Sequence, residues 1–175
     1  MSALNRYTIA GTVFVIITGT LAHFFYEWSN NNLIVGLFTP TNESTWEHMK
    51  LIFFPMLIYS FIAHPKLKDL YPCITSSLLS GILVGTALIP AIFYTYTGII
   101  GYHLLILDIS AFILSVVCAF YTVYKLTLSC RMMSYTKLLY VIVHIVLTCF
   151  VIFTFYPPKI AIFAEPWINY FILFI

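Results

Sequence analysis

The feature that most constrains this chain is a series of long apolar runs, at about 8–27, 47–64, 72–95, 99–124 and 138–156, which fill most of its 175 residues. A helix needs about 20 such residues, at 1.5 Å each, to cross the ~30 Å hydrocarbon layer of a bilayer. Only 8% of the residues are charged, against roughly 25% in an ordinary soluble domain, too few to cover a water-facing surface. The solvent is therefore mostly lipid, and the lipid bilayer is the first partner. The expected fold is all-α, a polytopic membrane bundle forming a single domain over 1–175, with five full transmembrane helices. A short apolar segment from Ile160 to Ile175, interrupted by Glu165-Pro166, follows as a partial or re-entrant piece. The formal net charge of +2 is small and its bases are scattered, which speaks against a nucleic-acid partner.

Basic residues resist translocation, so short loops rich in Lys and Arg stay in the cytoplasm. Arg6 precedes the first run, Lys66 and Lys68 follow the second, and Lys125, Arg131 and Lys137 join the fourth to the fifth. The N-terminus is thus expected in the cytoplasm and the connections at about 28–45 and 96–101 on the far face, with Lys159 the one dissenter. The first run is expected to be retained, since no small-x-small cleavage pattern follows it.

Ser77, Gly81 and Gly85 make a small-xxx-small line on the third run, a surface that lets a neighbouring backbone come close. Pro55 and Pro90 interrupt the second and third runs. The four cysteines, Cys73, Cys118, Cys130 and Cys149, contain no CxxC pair, and neither a disulfide framework nor a zinc ribbon is expected.

An ionisable group in a membrane costs roughly 2.5–3.5 kcal/mol at mid-helix on insertion scales, so each one needs a reason. On the expected topology His23, Glu27, Glu43, Glu47, His48, His103 and Asp108 all fall in the non-cytoplasmic half. The densest stretch is Pro40-Thr-Asn-Glu-Ser-Thr-Trp-Glu-His-Met-Lys50, in which Glu43/Glu47 and Ser44/His48 are each four residues apart and would share helix faces. Carboxylates beside imidazole suit a divalent transition-metal ion, with Glu43, Glu47, His48 and His103 as the candidate ligands. Glu47, His48 and Asp108 are the candidate catalytic groups, and His23, Glu27, Glu43, Ser44 and His103 the candidate binding groups. The plainer reading is that Ser44-x-x-Glu47 is a capping box and that Glu47 pairs with Lys50.

Trp28 and Trp46 fit interfacial anchoring. At ~100° per residue, five residues place His103 and Asp108 about 140° apart on a common helix, so they need not touch the same ligand, although both are expected around one cavity with Glu43, Glu47 and His48, with Glu27 and His23 at its rim. His144, in the fifth run nearer its cytoplasmic side and four residues from both Tyr140 and Thr148, is expected to make an interhelical hydrogen bond. No P-loop, dinucleotide fingerprint, HExxH or GxSxG is present.

The segments His23-Phe-Phe-Tyr-Glu-Trp-Ser and Phe38-Thr-Pro-Thr-Asn-Glu-Ser-Thr-Trp-Glu-His-Met-Lys-Leu-Ile-Phe-Phe-Pro55 carry a resemblance. They are similar to an uncharacterised family of small multi-pass bacterial membrane proteins with an NESTWEHMKL-type motif, over about residues 5–165. The resemblance implies a bacterial cell-membrane location and no assigned activity. Family members tend to end in an Asp-Pro and Gly-containing tail, where this chain reads Glu165-Pro166-Trp-Ile-Asn.

Three functions are compatible with these residues. A non-catalytic membrane partner or assembly factor, docking another membrane protein or a second copy, demands least of the sequence. A membrane-embedded, metal-assisted hydrolase or transferase would use the Glu/His/Asp layer. A small transporter would use Asp108 as its protonatable group.

Overall fold

The computed structural model describes residues 2–166, and the described residues are helical and loop throughout. The elements are α1 (Ala3–Trp28), α2 (Leu33–Gly36), α3 (Thr45–Leu67), α4 (Ile74–Ile100), α5 (Leu105–Ser129) and α6 (Thr136–Phe155). Single 3₁₀ turns at Met133–Tyr135 and Ala161–Phe163 flank α6. Beyond Pro166 the C-terminal apolar segment expected at 160–175 lies outside the described residues. Its first part forms the turn Ala161–Phe163, which packs on α3.

Among the described residues four helices are long and apolar enough to cross a membrane: α1, α4, α5 and α6 with its preceding turn. That is one fewer than the five full spans expected. The difference is α3, whose 23 residues have the length but whose ends carry Glu47, His48, Lys50, His64 and Lys66. Its polar first turns are buried against other parts of the chain instead of being lipid-exposed; Glu47 and Lys50 are sealed from solvent.

Helix α3 is the hub. It packs on α1 and α4, and α5 closes the bundle against both α4 and α1. The centre is filled by Ile52, Phe53, Met56, Ile82, Val116, Ala119 and Phe120. Helices this apolar on their outer faces depend on close packing where they meet. The small residues supply it. A Cβ on Gly81 would lie 2.4 Å from Val123 Cγ2 and 3.0 Å from the Ala119 carbonyl, which makes the Ser77/Gly81/Gly85 line the seat of α5. Gly19 does the same between α1 and α3: a Cβ there would come within 2.5 Å of the Leu51 carbonyl oxygen.

One other expectation changes. Cys73 and Cys130 are joined by a disulfide, their Cα atoms 5.3 Å apart, although 57 residues separate them. No local spacing announces the pair; the antiparallel packing of α4 and α5 brings the start of one helix beside the end of the other. Trp46, read from the sequence as an interfacial residue, also has a packing role. Its ring packs with those of Phe150, Phe153 and Phe163, at centroid distances of 4.8, 5.5 and 4.9 Å, and fastens α6 and the final turn onto α3.

Candidate metal centre

The site lies where α1 ends and α3 begins. The start of α3 is set by Ser44, whose hydroxyl accepts from the Glu47 amide at 3.4 Å, the N-cap half of the expected box. The reciprocal half is absent: the Ser44 amide donates to Asn42 Oδ1 at 2.9 Å, and the Glu47 side chain turns elsewhere. Because the helix begins at Thr45, Glu43 stands outside it. The shared helix face expected for Glu43 and Glu47 therefore does not form, and the two carboxylates part company.

Glu47 turns inward. Its Oε2 accepts from the Thr41 amide at 2.9 Å, from the Thr41 hydroxyl at 3.1 Å and from Lys50 Nζ at 2.7 Å. Lys50 also donates to the Gly36 carbonyl at 3.0 Å and to Thr154 Oγ1 on α6 at 2.7 Å. The Lys50 ammonium and Glu47 Oε2 are thus fully engaged in hydrogen bonds, the condition under which a buried charge pair is tolerated. It fastens the 36–41 loop to α3 and α6, so Glu47 is engaged as a structural acid.

Glu43 turns outward, to two histidines. Its Oε2 is 3.4 Å from His48 Nε2 and its Oε1 3.8 Å from His23 Nε2. The two imidazole rings face one another at a centroid distance of 5.3 Å. His23 reaches this position because α1 approaches α3 so closely at Gly19, one turn earlier. His48 Nδ1 lies 2.9 Å from the Ser44 carbonyl. A carbonyl only accepts, so Nδ1 carries the hydrogen and Nε2 is the nitrogen offered to Glu43. The neighbouring His48 holds the Glu43 carboxyl below the usual carboxylate range against the opposing effect of partial burial, with His23 and His103 adding to it.

One donor atom from each of His23, Glu43 and His48 lies within 4.8 Å of the other two. A tetrahedral ion with bonds near 2.0–2.1 Å has ligand-to-ligand edges of about 3.3–3.4 Å. His48 approaches Glu43 Oε2 at 3.4 Å and His23 approaches Oε1 at 3.8 Å, both longer than good hydrogen bonds, and with one donor from each residue the three atoms lie within 4.8 Å, somewhat wider than those edges. Two imidazoles, a carboxylate and an open fourth position form a donor set suited to a catalytic divalent ion.

A second cluster adjoins the first. His103 lies just before α5 rather than on it, so the helical angle expected between it and Asp108 does not apply. The loop folds back, bringing His103 Nδ1 to 3.3 Å from Asp108 Oδ2, while the Tyr96 hydroxyl donates to Asp108 Oδ1. The two clusters are near enough to interact electrostatically, His103 with Glu43 and Asp108 with His48. Glu27, one turn beyond His23, is exposed and close enough to act on it. Two participants escaped sequence reasoning in their roles: His23 as a direct ligand candidate, for which its spacing to Glu27 gave only a rim position, and Tyr96, an aromatic in an aromatic-rich stretch.

A helical bundle with four helices long and apolar enough to cross a membrane, among the described residues, and a polar His/Glu/Asp cluster at one end defines the class. The chain belongs to the family of unknown function DUF6512, whose sequence profile matches residues 1–170. No curated protein and no solved structure matches it.

Proposed function

We propose that this protein is a multi-pass membrane protein, with its N-terminus in the cytoplasm and α3 as a fifth span, that works as a metal-assisted hydrolase or transferase. The site then opens at the non-cytoplasmic face of a bacterial cell membrane. The observation that carries the reading is the convergence of His23 Nε2, Glu43 and His48 Nε2 within 4.8 Å, beside the Asp108 pair.

His23, Glu43 and His48 would hold a divalent ion, which would supply a nucleophile at neutral pH by lowering the pKa of a water. Asp108, hydrogen-bonded to Tyr96 and adjoining His103, is placed to accept and return a proton. Glu47 leaves the reacting set, because all its contacts are with Thr41, Lys50 and the start of α3. The transporter reading is weaker: the polar layer gives way to the apolar residues at the centre of the bundle, and His144 is on the exposed side of α6, away from that layer.

Metal analysis of the purified protein tests this. About one divalent ion per chain is expected in the wild type and in Glu27→Gln, with loss in Glu43→Gln and in His48→Asn. Equal metal content in all four proteins would remove the centre.

A further inference from the structure

The outer face of α6 is the least covered of the long helices, with 17% of its most apolar window buried against 56% for α4. It packs on α4 and the edge of α3. Along that face run Tyr140, His144 and Thr148, one turn apart and all exposed. His144 lies about 12 Å along a helix of about 30 Å, in the depth of the hydrocarbon if α6 spans the membrane. A polar stripe facing lipid at that depth is costly.

The hydrogen bonding of the stripe shows what it lacks. Thr148 satisfies its hydroxyl on the His144 carbonyl at 2.8 Å, and His144 Nδ1 donates to the Tyr140 carbonyl at 2.8 Å. His144 Nε2 is left as an acceptor, and the Tyr140 hydroxyl as a donor. The two stand one turn apart on one open face of α6, which Ile145 and Cys149 share. A surface that offers one donor and one acceptor is complementary to itself. Two copies related by a two-fold axis along the membrane normal bring the hydroxyl of each to the imidazole of the other, satisfying both at once.

We propose that the protein forms a parallel homodimer through α6, closed by reciprocal Tyr140-to-His144 hydrogen bonds. The proposal rests on the membrane reading but not on the metal centre. An alkaline carbonate wash of the membranes first shows whether the chain is embedded, so that failure of that reading is seen separately.

The test uses the full chain in its own membranes, treated with a short bismaleimide. In a Cys118→Ser background a cross-linked dimer is expected that disappears with Cys149→Ser. It should fall several-fold with His144→Leu and with Tyr140→Phe, a change of one oxygen atom that keeps the packing. The double variant should be no worse than either single one, because both remove the same bond. Three results would overturn the proposal: monomer at every protein-to-lipid ratio, a dimer indifferent to both substitutions, or Cys149 cross-linked to a different protein.

Discussion

Lys50 Nζ lies 2.7 Å from Glu47 Oε2 with the two side chains 0% and 3% exposed, in the first turns of α3. Removing one partner strands a buried charge, an effect of about 3–5 kcal/mol. Lys50→Met is accordingly expected to lower the unfolding midpoint sharply. Lys50→Met combined with Glu47→Leu should recover much of the loss, as replacement of whole buried pairs by apolar residues does. A single variant as stable as the wild type in thermal unfolding would contradict the structural role given to Glu47.

Gly19 and Gly98 make a matched pair. A Cβ at Gly19 would come within 2.5 Å of the Leu51 carbonyl and 2.7 Å of Phe112 Cζ, whereas nothing lies within 4 Å of one at Gly98. Gly19→Ala should push α1 away from α3 and carry His23 out of reach of Glu43, weakening metal binding by tenfold or more. Gly98→Ala should leave binding unchanged and stabilise the helix slightly, by about 0.5–1 kcal/mol. Calorimetric titration of both variants with zinc measures the contrast; equal affinities would detach the close approach from the site.

Acid should act on the centre in two stages. Metal ligands must be deprotonated, so binding is complete above the imidazole range and is lost as pH falls through it, when His23 and His48 take up protons. Glu43 stays ionised further down, because His48 holds its carboxyl below the usual carboxylate range. A lowered carboxyl contributes stability that is present above its unfolded-state pKa and is lost as pH falls through the folded-state value. Metal loss is therefore expected at a distinctly higher pH than the acid unfolding to which Glu43 contributes. Coincidence of the two transitions, followed by metal release and by circular dichroism, would count against the imidazole ligands.

The long apolar helices were legible because uninterrupted apolar runs of that length fold as helices, and the helix start at Ser44 because its cap chemistry is local. What escaped the sequence depends on where helices begin. Placing Glu43 on α3 gave it the wrong neighbour, since a helix starting at Thr45 leaves it in the loop. Treating His103 and Asp108 as members of one helix separated two residues that the loop brings to 3.3 Å. Cys73 and Cys130 are joined only by the packing of α4 on α5, which no residue spacing along the chain encodes.

That pair also bears on orientation. It lies at the end of the bundle where α3 ends and α4 begins, the end that carries Lys66, Lys68, Arg131 and Lys137. On the proposed topology this face is cytoplasmic, where thiols are kept reduced. Alkylation of intact cells before lysis should thus trap Cys73 and Cys130 as thiols, the bridge closing on oxidation after extraction. A disulfide already formed in rapidly quenched cells would reverse the orientation.

X-ray absorption at the metal edge of the zinc-loaded protein tests the proposed centre most directly. A first shell of nitrogen and oxygen at about 2.0–2.1 Å is expected, with the outer-shell scattering of two imidazoles, falling to one in His23→Asn. A shell of oxygen alone, or a spectrum identical in wild type and His23→Asn, would contradict it.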